Sequence, residues 1–172
     1  MIKYKKVSFL GVKRMLYIGW ILFTAFVVAA DQITKYLTVA NIPLRGYAQA
    51  IPGLFNFTYV QNTGAAWSSF EGMIWLFALI FLVLTVAIVW EFSKKRWPFT
   101  TFERWCIVSV FAGGLGNMID RLRLGFVVDM INLEFMNFPV FNVADCFITC
   151  GCILLLVHLC LFNKEFWKEE KK

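Results

Sequence analysis

The chain has 172 residues, of which 60% are hydrophobic and 18% aromatic, and its formal net charge is +6. Soluble domains are typically about 45–50% apolar, so this composition excludes an ordinary soluble domain and predicts an integral membrane protein. The basic residues are grouped outside the apolar segments, which argues for a role in membrane topology and against a nucleic-acid partner. No linker or low-complexity tract divides the chain, and we expect one membrane domain over residues 1–172.

Four apolar segments have about the length needed to cross a hydrocarbon core about 30 Å thick as helices. The third is the shortest, and Arg104 at its start can extend its side chain to the membrane interface. Basic clusters precede the first segment, separate the second from the third and follow the fourth, so the positive-inside rule places both termini in the cytoplasm. The predicted spans cover about residues 15–37, 72–90, 105–119 and 146–162.

The first segment has a competing interpretation. Basic residues, an apolar run and Val28-Ala29-Ala30 also resemble a secretory signal that is cleaved after Ala30. Three further spans follow, and Asp31 and Lys35 belong to a motif described below. We therefore expect the first helix to be retained.

The two outer connections, about residues 38–70 and 121–144, have the composition of small folded elements. In the first, proline and glycine turn signals flank residues 54–60, a β-branched and aromatic stretch that predicts a small extracytoplasmic β-sheet. In the second, residues 133–138 are largely apolar, and we expect a short helix in the membrane interface. The predicted fold class is an all-α integral membrane protein with four transmembrane helices, this sheet and the interfacial helix.

All four aspartates lie at the edges of apolar segments, whereas the glutamates, Glu91 and Glu103 among them, are assigned to loops, tails and connecting segments. An ionised carboxylate close to hydrocarbon is costly, so an acid in that position is a candidate functional residue. With the predicted topology, all four aspartates belong to the outer membrane–water interface. They are Asp31, Asp120, Asp129 and Asp145.

Neighbouring basic residues divide the aspartates into two groups. Asp31 and Lys35 are spaced i,i+4 on one helix, which favours a salt bridge. Asp120 is adjacent to Arg121 in the sequence. These two acids have candidate counter-ions and are expected to be structural.

Asp129 and Asp145 have no adjacent basic residue. Two carboxylates in a poorly hydrated place raise each other's pKa, so that one of them holds a proton near neutral pH. One carboxylate can then act as general base on water and the other as general acid. This arrangement suits amide hydrolysis without a metal or a covalent nucleophile.

Other hydrolytic arrangements fit less well. The single histidine, His158, follows Asp145 on the same predicted helix at a distance of about 20 Å, since a helix rises 1.5 Å per residue. It is expected to be packed or hydrogen-bonded, which leaves no His triad and no zinc ligand set at the outer face. The five cysteines show no metal or disulfide pattern. A Ser–Lys dyad of Ser68 or Ser69 with Lys35 stays open.

Small and amide residues also gather near the outer ends of the spans. The glycines at positions 113, 114 and 116 allow a neighbouring helix to approach closely. Asn62, Asn117 and Asn142 can hydrogen-bond the extended backbone of a substrate or of the protein's own loops, and both interpretations remain.

Several short motifs follow one another in chain order. Residues 31–35 read Asp-Gln-Ile-Thr-Lys, and residues 62–67 read Asn-Thr-Gly-Ala-Ala-Trp. Residues 116–121 read Gly-Asn-Met-Ile-Asp-Arg, followed by Val128-Asp129, and residues 141–145 read Phe-Asn-Val-Ala-Asp. In this order and spacing, over about residues 15–162, the chain resembles the lipoprotein signal peptidase (signal peptidase II) family of bacterial inner-membrane aspartic endopeptidases.

The resemblance implies that Asp129 and Asp145 are the catalytic dyad, at the outer leaflet of the bacterial inner membrane. The implied substrate is a prolipoprotein with a diacylglyceryl group on a cysteine, cleaved just before that cysteine. Membrane lipid is the other implied partner; no cofactor, metal or nucleic acid is expected, and the chain is expected to be a monomer. The residues implied to bind substrate or shape the site are Asp31, Lys35, Asn62, Gly64, Asn117, Asp120, Arg121, Asn142 and Ala144.

Two departures from the family pattern are visible. Trp67 stands where the family has phenylalanine, and Cys146, Cys150 and Cys152 crowd the start of the fourth span. The rival function is a small transporter or assembly factor that uses its interfacial carboxylates as an ion relay. A relay is expected to place acids at several depths, and the predicted inner halves of the spans hold none.

Overall fold

The computed structural model describes residues 9–64 and 70–168, which form four long helices and one small antiparallel sheet. The helices are α1 (Phe9–Asn41), α2 (Ile74–Lys94), α3 (Thr101–Leu124) and α4 (Val143–Leu161). The strands are β1 (Tyr47–Ile51), β2 (Phe55–Asn62) and β3 (Val127–Leu133). A short 3₁₀ helix, Lys164–Trp167, follows α4.

Three helices are long and apolar enough to cross a membrane: residues 14–41 of α1, α2 and α4. The remaining helix, α3, packs against all three of them and is the centre of the bundle. Its charged residues Glu103, Arg104 and Asp120 are buried, so they face other protein groups. This central position explains why α3 is the least apolar of the four helices.

The helices extend beyond the predicted spans. α3 begins at Thr101, earlier than expected, because the side chain of Thr100 accepts a hydrogen bond from Glu103 N (3.2 Å) and Glu103 Oε2 accepts one from Thr100 N (2.6 Å). This capping box satisfies two amide groups that the first turn leaves free. α3 ends at Leu124, and its C-cap Gly125, whose φ of +83° favours glycine, turns the chain into β3.

Two glycines let α3 approach its neighbours. A Cβ atom on Gly113 would collide with the carbonyl oxygen of Ala144, at the start of α4. A Cβ on Gly116 would lie 2.6 Å from Oδ2 of Asp31, on α1. The predicted close helix packing is therefore present, and it brings polar groups of α1, α3 and α4 together.

Both outer connections contribute to the sheet, in which β2 pairs with β1 on one side and β3 on the other. The predicted β-sheet is confirmed, and its third strand carries Asp129 opposite Val60 of β2. Glu134, just after β3, accepts hydrogen bonds from Gly53 N (2.6 Å), Asn56 Nδ2 (2.8 Å) and Gln49 Nε2 (3.0 Å). These contacts depress the pKa of Glu134 and fasten the β1–β2 hairpin to β3.

The interfacial helix expected at residues 133–138 is wrong. Leu133 ends β3, and the residues after it form a bend in which Phe135 and Phe138 are exposed. Pro139 disfavours helical backbone in the residue before it. The exposed aromatic residues therefore lie on an irregular loop beside the sheet.

The assignment of Glu91 and Glu103 to loops is also wrong, because both are buried in helices at the end of the bundle opposite the sheet. Glu103 accepts from Asn163 Nδ2 at 2.7 Å, and its Oε1 lies 2.8 Å from Nδ1 of His158. Glu91 forms an ion pair with Arg104 at 3.4 Å. These partners offset the cost of burying the charges, and His158 is hydrogen-bonded as predicted.

Candidate active site

Two carboxylates from different elements meet where β3 passes the start of α4. Asp129 of β3 is only 2% exposed, and Asp145 in the first turn of α4 is half-buried. Asn142 connects them: its Nδ2 donates to Asp129 Oδ1 at 2.6 Å, and its backbone N donates to Asp145 Oδ2 at 3.1 Å. The structure thus brings together the two acids that lack a basic neighbour in the sequence.

Asn142 holds this position because it is the N-cap of α4. Its Oδ1 accepts a hydrogen bond from Asp145 N at 2.9 Å, which completes a capping box with the Asp145 carboxylate. The side chain of a cap residue is fixed by the helix it begins. Asp145 is therefore held at a helix N-terminus, where the helix dipole favours a negative charge.

Two further asparagines donate to the remaining carboxylate oxygens. Asn62 Nδ2 donates to Asp129 Oδ2 at 2.9 Å, and Asn117 Nδ2 donates to Asp145 Oδ1 at 2.7 Å. Among the described residues, each of the four oxygens thus receives one hydrogen bond. A carboxylate oxygen has two lone pairs, so each keeps accepting capacity for water or substrate.

The orientation of the amides is determined by hydrogen bonds to their oxygens. Asn62 Oδ1 accepts from Gly64 N at 2.9 Å. Asn117 Oδ1 accepts from Lys35 Nζ at 2.9 Å and from Asn142 Nδ2 at 3.1 Å. Because each oxygen is occupied, the NH₂ groups must face the carboxylates. Neither interpretation left by the sequence included this contact, since the amide groups of these asparagines donate to carboxylates.

Lys35 lies beneath the pair and is 3% exposed. Its ammonium contacts Asp31 Oδ2 at 2.8 Å, Asp120 Oδ2 at 3.0 Å and Asn117 Oδ1 at 2.9 Å. An ammonium has three protons, so these acceptors use all of them. A lysine held between two carboxylates cannot serve as the base of a Ser–Lys dyad, and the serines proposed for it, Ser68 and Ser69, lie outside the described residues.

The Asp31–Lys35 salt bridge is confirmed, whereas the expected pairing of Asp120 with Arg121 is wrong. Successive residues on a helix point in different directions and do not face each other. Asp120 points towards Lys35 and also accepts from Val128 N at 3.0 Å. It therefore ties the end of α3 to α1 and to β3.

Asp31 anchors the start of α4. It is fully buried, and its Oδ1 accepts from Ala144 N at 3.0 Å. Gln32, the neighbour that sequence reasoning did not single out, donates to Asp120 Oδ1 at 2.8 Å and to Gly116 O at 3.3 Å. The position of Gln32 in the Asp-Gln-Ile-Thr-Lys motif is the sequence feature that could have identified it as a site residue.

Arg121 has a different partner from the one expected. Its Nη2 donates to Gly64 O at 2.7 Å, its Nη1 donates to Asn117 O at 3.4 Å, and its guanidinium lies over the ring of Phe77, 4.2 Å from the centroid. It thereby joins α3 to the start of α2 and to the segment after β2. Residues 65–69, including Trp67, lie outside the described residues.

Burial raises the pKa of Asp129 to about 7. The hydrogen bond from Asn62 opposes this shift, and the nearby charge of Asp145 adds to it. A carboxyl group of this kind is about half protonated at neutral pH, so it can give or take a proton during a reaction. The site therefore has the chemical means for acid–base hydrolysis of an amide.

The chain is similar in sequence to proteins of one known family. The family described as Signal peptidase (SPase) II matches residues 23–161. The lipoprotein signal peptidase of Enterococcus faecalis is 41% identical over 87% of this chain and 92% of its own length. That of Lactococcus lactis subsp. lactis is 42% identical over 80% of this chain and 90% of its own length.

Two solved structures also resemble the fold. Both are described as bacterial membrane enzymes, determined by the in meso method at 2.3 and 1.9 Å resolution. The first superposes with a TM-score of 0.79 at 36% identity, covering 90% of this chain and 93% of that chain. The second has a TM-score of 0.75 at 37% identity, covering 84% of this chain and 94% of that chain. Sequence, motifs and fold together lead to one conclusion: the chain belongs to the signal peptidase II family.

Proposed function

We propose that Asp129 and Asp145 are the catalytic dyad of a membrane aspartic endopeptidase. The enzyme removes signal peptides from lipoproteins, and the substrate is a prolipoprotein with a diacylglyceryl group on the cysteine that follows the cleaved bond. The observation that carries this proposal is the bridging of the two carboxylates by Asn142, with one protein hydrogen bond on each of their oxygens.

The dyad hydrolyses the peptide bond by acid–base catalysis. The ionised carboxylate takes a proton from a water molecule, whose oxygen attacks the carbonyl carbon of the scissile bond. The protonated carboxyl gives its proton to the carbonyl oxygen. In the second step the carboxyl that took a proton from water gives it to the leaving nitrogen, and the carbon–nitrogen bond breaks. One hydroxyl of the tetrahedral intermediate returns its proton to the other carboxylate as the carbonyl re-forms, so the dyad again holds a single proton.

The expectation that the inner halves of the helices hold no acids is wrong. The buried Glu91 and Glu103 place acids at the opposite end of the bundle, so the depth of the acids does not separate an ion relay from a peptidase. Each of these glutamates has its own partner, Arg104 or His158. Such pairing supports a structural role there, and family membership supports the peptidase.

The membrane topology of the proposal has four spans, with α3 as the third. Its buried charges are paired inside the bundle, which makes a less apolar central helix compatible with a transmembrane position. Basic residues follow α2, so both termini are cytoplasmic and the dyad lies at the outer leaflet. A retained α1 is supported by the fully buried Val27 and by the use of Asp31 and Lys35 in the site.

The lipid part of the substrate would contact exposed apolar residues of the sheet and of the loop that follows it. Tyr47 and Ile51 of β1, with Phe135 and Met136 after β3, are exposed apolar side chains on the sheet and its neighbouring loop. They suit contact with acyl chains of the outer leaflet while the peptide reaches the dyad. One chain supplies every described group of the site, so a monomer is sufficient.

The test is cleavage of a lipid-modified prolipoprotein by the purified protein. Wild type is expected to release the signal peptide, and Asp129→Asn and Asp145→Asn are each expected to lose cleavage while remaining folded. The two losses should be non-additive, because the residues act as one unit. Substantial cleavage by Asp129→Asn would rule out the dyad, and strong inhibition by a chelator would indicate metal chemistry instead.

A further inference from the structure

The two carboxylates have unlike surroundings. Asp129 accepts hydrogen bonds from two neutral side-chain amides of the described residues, those of Asn62 and Asn142. Asp145 receives a hydrogen bond from Asn117, whose own oxygen is bound to an ammonium, and another from the backbone at a helix N-terminus. The dyad is therefore asymmetric before any substrate binds.

Lys35 determines how Asn117 is oriented. An amide group can be turned by half a rotation, which exchanges its oxygen and its NH₂ group. In the turned orientation the NH₂ would face the ammonium of Lys35, and the oxygen would face the carboxylate of Asp145. Both contacts would be repulsive, so Lys35 keeps the Asn117 donor directed at Asp145.

The charge of Lys35 is balanced locally. The charged groups that surround the pair are Asp31 and Lys35 on α1, Asp120 and Arg121 on α3, and the dyad itself on β3 and α4; the Cys146 thiol is adjacent to Asp145. Asp31 and Asp120 both contact the ammonium, at 2.8 and 3.0 Å. These two carboxylates offset part of the charge of Lys35, and the hydrogen bond through Asn117 directs its remaining influence to Asp145.

We propose that Lys35, acting through Asn117, keeps Asp145 in its ionised form, so that Asp145 is the general base towards water and Asp129 carries the shared proton. In this assignment, which rests on the proposed dyad, Lys35 is a positioning residue. The position of Asp145 at the N-terminus of α4 acts in the same direction. The side-chain hydrogen bonds to Asp129 come from the neutral amides of Asn62 and Asn142, and the oxygens of these two amides accept from backbone N–H groups and not from an ammonium.

The experiment compares pH profiles of kcat/KM. Lys35→Met together with Asp31→Asn removes the ammonium and one carboxylate, so the buried net charge is unchanged. In this double variant the ionised form of Asp145 is less favoured, and the acidic limb is expected to move to higher pH by about one unit. Turnover at the acidic end should fall about tenfold and recover as the pH rises.

Asp31→Asn alone is the matched control. It removes a carboxylate from the network but leaves the Lys35–Asn117 contact, so its thermal stability should change while its acidic limb stays in place. Asn117→Ala removes the side-chain amide that donates to Asp145. This variant tests the same contact if the double variant does not fold. Its acidic limb should move in the same direction as that of the double variant.

A second readout follows the proton directly. In the Asp129→Asn protein, which is expected to be inactive, infrared spectroscopy of isotope-labelled aspartates reports protonation of Asp145. Adding the Lys35→Met and Asp31→Asn changes should make that protonation occur at higher pH. Equal loss of activity at every pH would overturn the role of Lys35 while leaving the dyad intact. Full activity of Asp129→Asn would instead reject the dyad, so the two failures are distinct.

Discussion

Asn142 Nδ2 lies 2.6 Å from Oδ1 of Asp129, while the same asparagine caps the helix that carries Asp145. One side chain thus caps a helix and contacts a member of the proposed catalytic dyad. The spacing of the two carboxylates follows from the geometry of a helix start, which is among the more rigid local structures in a protein.

Replacing Asn142 by alanine is expected to lower both stability and turnover. Loss of an N-cap costs about 1 kcal/mol, and the dyad would lose the group that connects its members. Thr100→Ala is the matched control, because Thr100 forms the equivalent capping box at the start of α3, far from the dyad. The two variants should lose similar stability in thermal unfolding, and only Asn142→Ala should lose turnover by more than about tenfold.

The stability of the protein should depend on pH through Asp129. Its pKa rises from 3.8 to about 7 on folding, so the folded state binds the proton more tightly than the unfolded state. The stabilisation is fully present below the unfolded pKa and is lost as the pH rises through the folded pKa. Asp129→Asn removes this pH-dependent stabilisation. The melting temperature of Asp129→Asn minus that of wild type should therefore increase as the pH is raised from about 4 to about 7. Parallel curves for the two proteins would contradict the shift.

Measurements of stability and turnover on the same variants should distinguish acids with a structural role from acids with a proposed catalytic role. Asp31→Ala leaves Lys35 with one carboxylate fewer in a buried place, and breaking such a pair costs about 3–5 kcal/mol. Asp145→Asn removes the charge but keeps an acceptor for the Asn142 backbone. We expect Asp31→Ala to be the less stable protein in detergent and Asp145→Asn to be the less active per folded molecule. The reverse order would reject this division of roles.

Topology reporters test the four-span arrangement. A reporter fused after Lys172 or within residues 94–99 should be cytoplasmic, since basic residues mark that side. One inserted near Arg45, before β1, should report the outside. A reporter after Lys172 that is found outside would place the dyad on the wrong face for lipoprotein processing.

The sequence predicts those contacts that depend on local spacing. Asp31 and Lys35 are one helical turn apart, so their salt bridge could be foreseen. The two capping boxes, Thr100 with Glu103 and Asn142 with Asp145, were also visible as residues three apart before an apolar run. The first would have placed the start of α3 correctly, and the second gives Asp145 a structural role besides its chemical one.

Contacts between distant segments were not predictable in this way. Asp120 binds Lys35 rather than the adjacent Arg121, because the direction of each side chain depends on how α3 is rotated against α1. Glu103 and His158 meet only because α3 and α4 pack along their length. The bend after Leu133 likewise depends on Glu134, whose three partners belong to an earlier hairpin.

The hydrogen bond from Ala144 N to Asp31 Oδ1 joins the first helix of the chain to the start of the last. During synthesis, α1 and α3 are made before α4, so until α4 follows Asp31 has no α4 amide to bind. The geometry of the proposed catalytic pair is therefore complete only when the final helix has packed against the others. A nascent or truncated chain that lacks α4 is expected to be inert, which protects neighbouring membrane proteins from an unfinished protease.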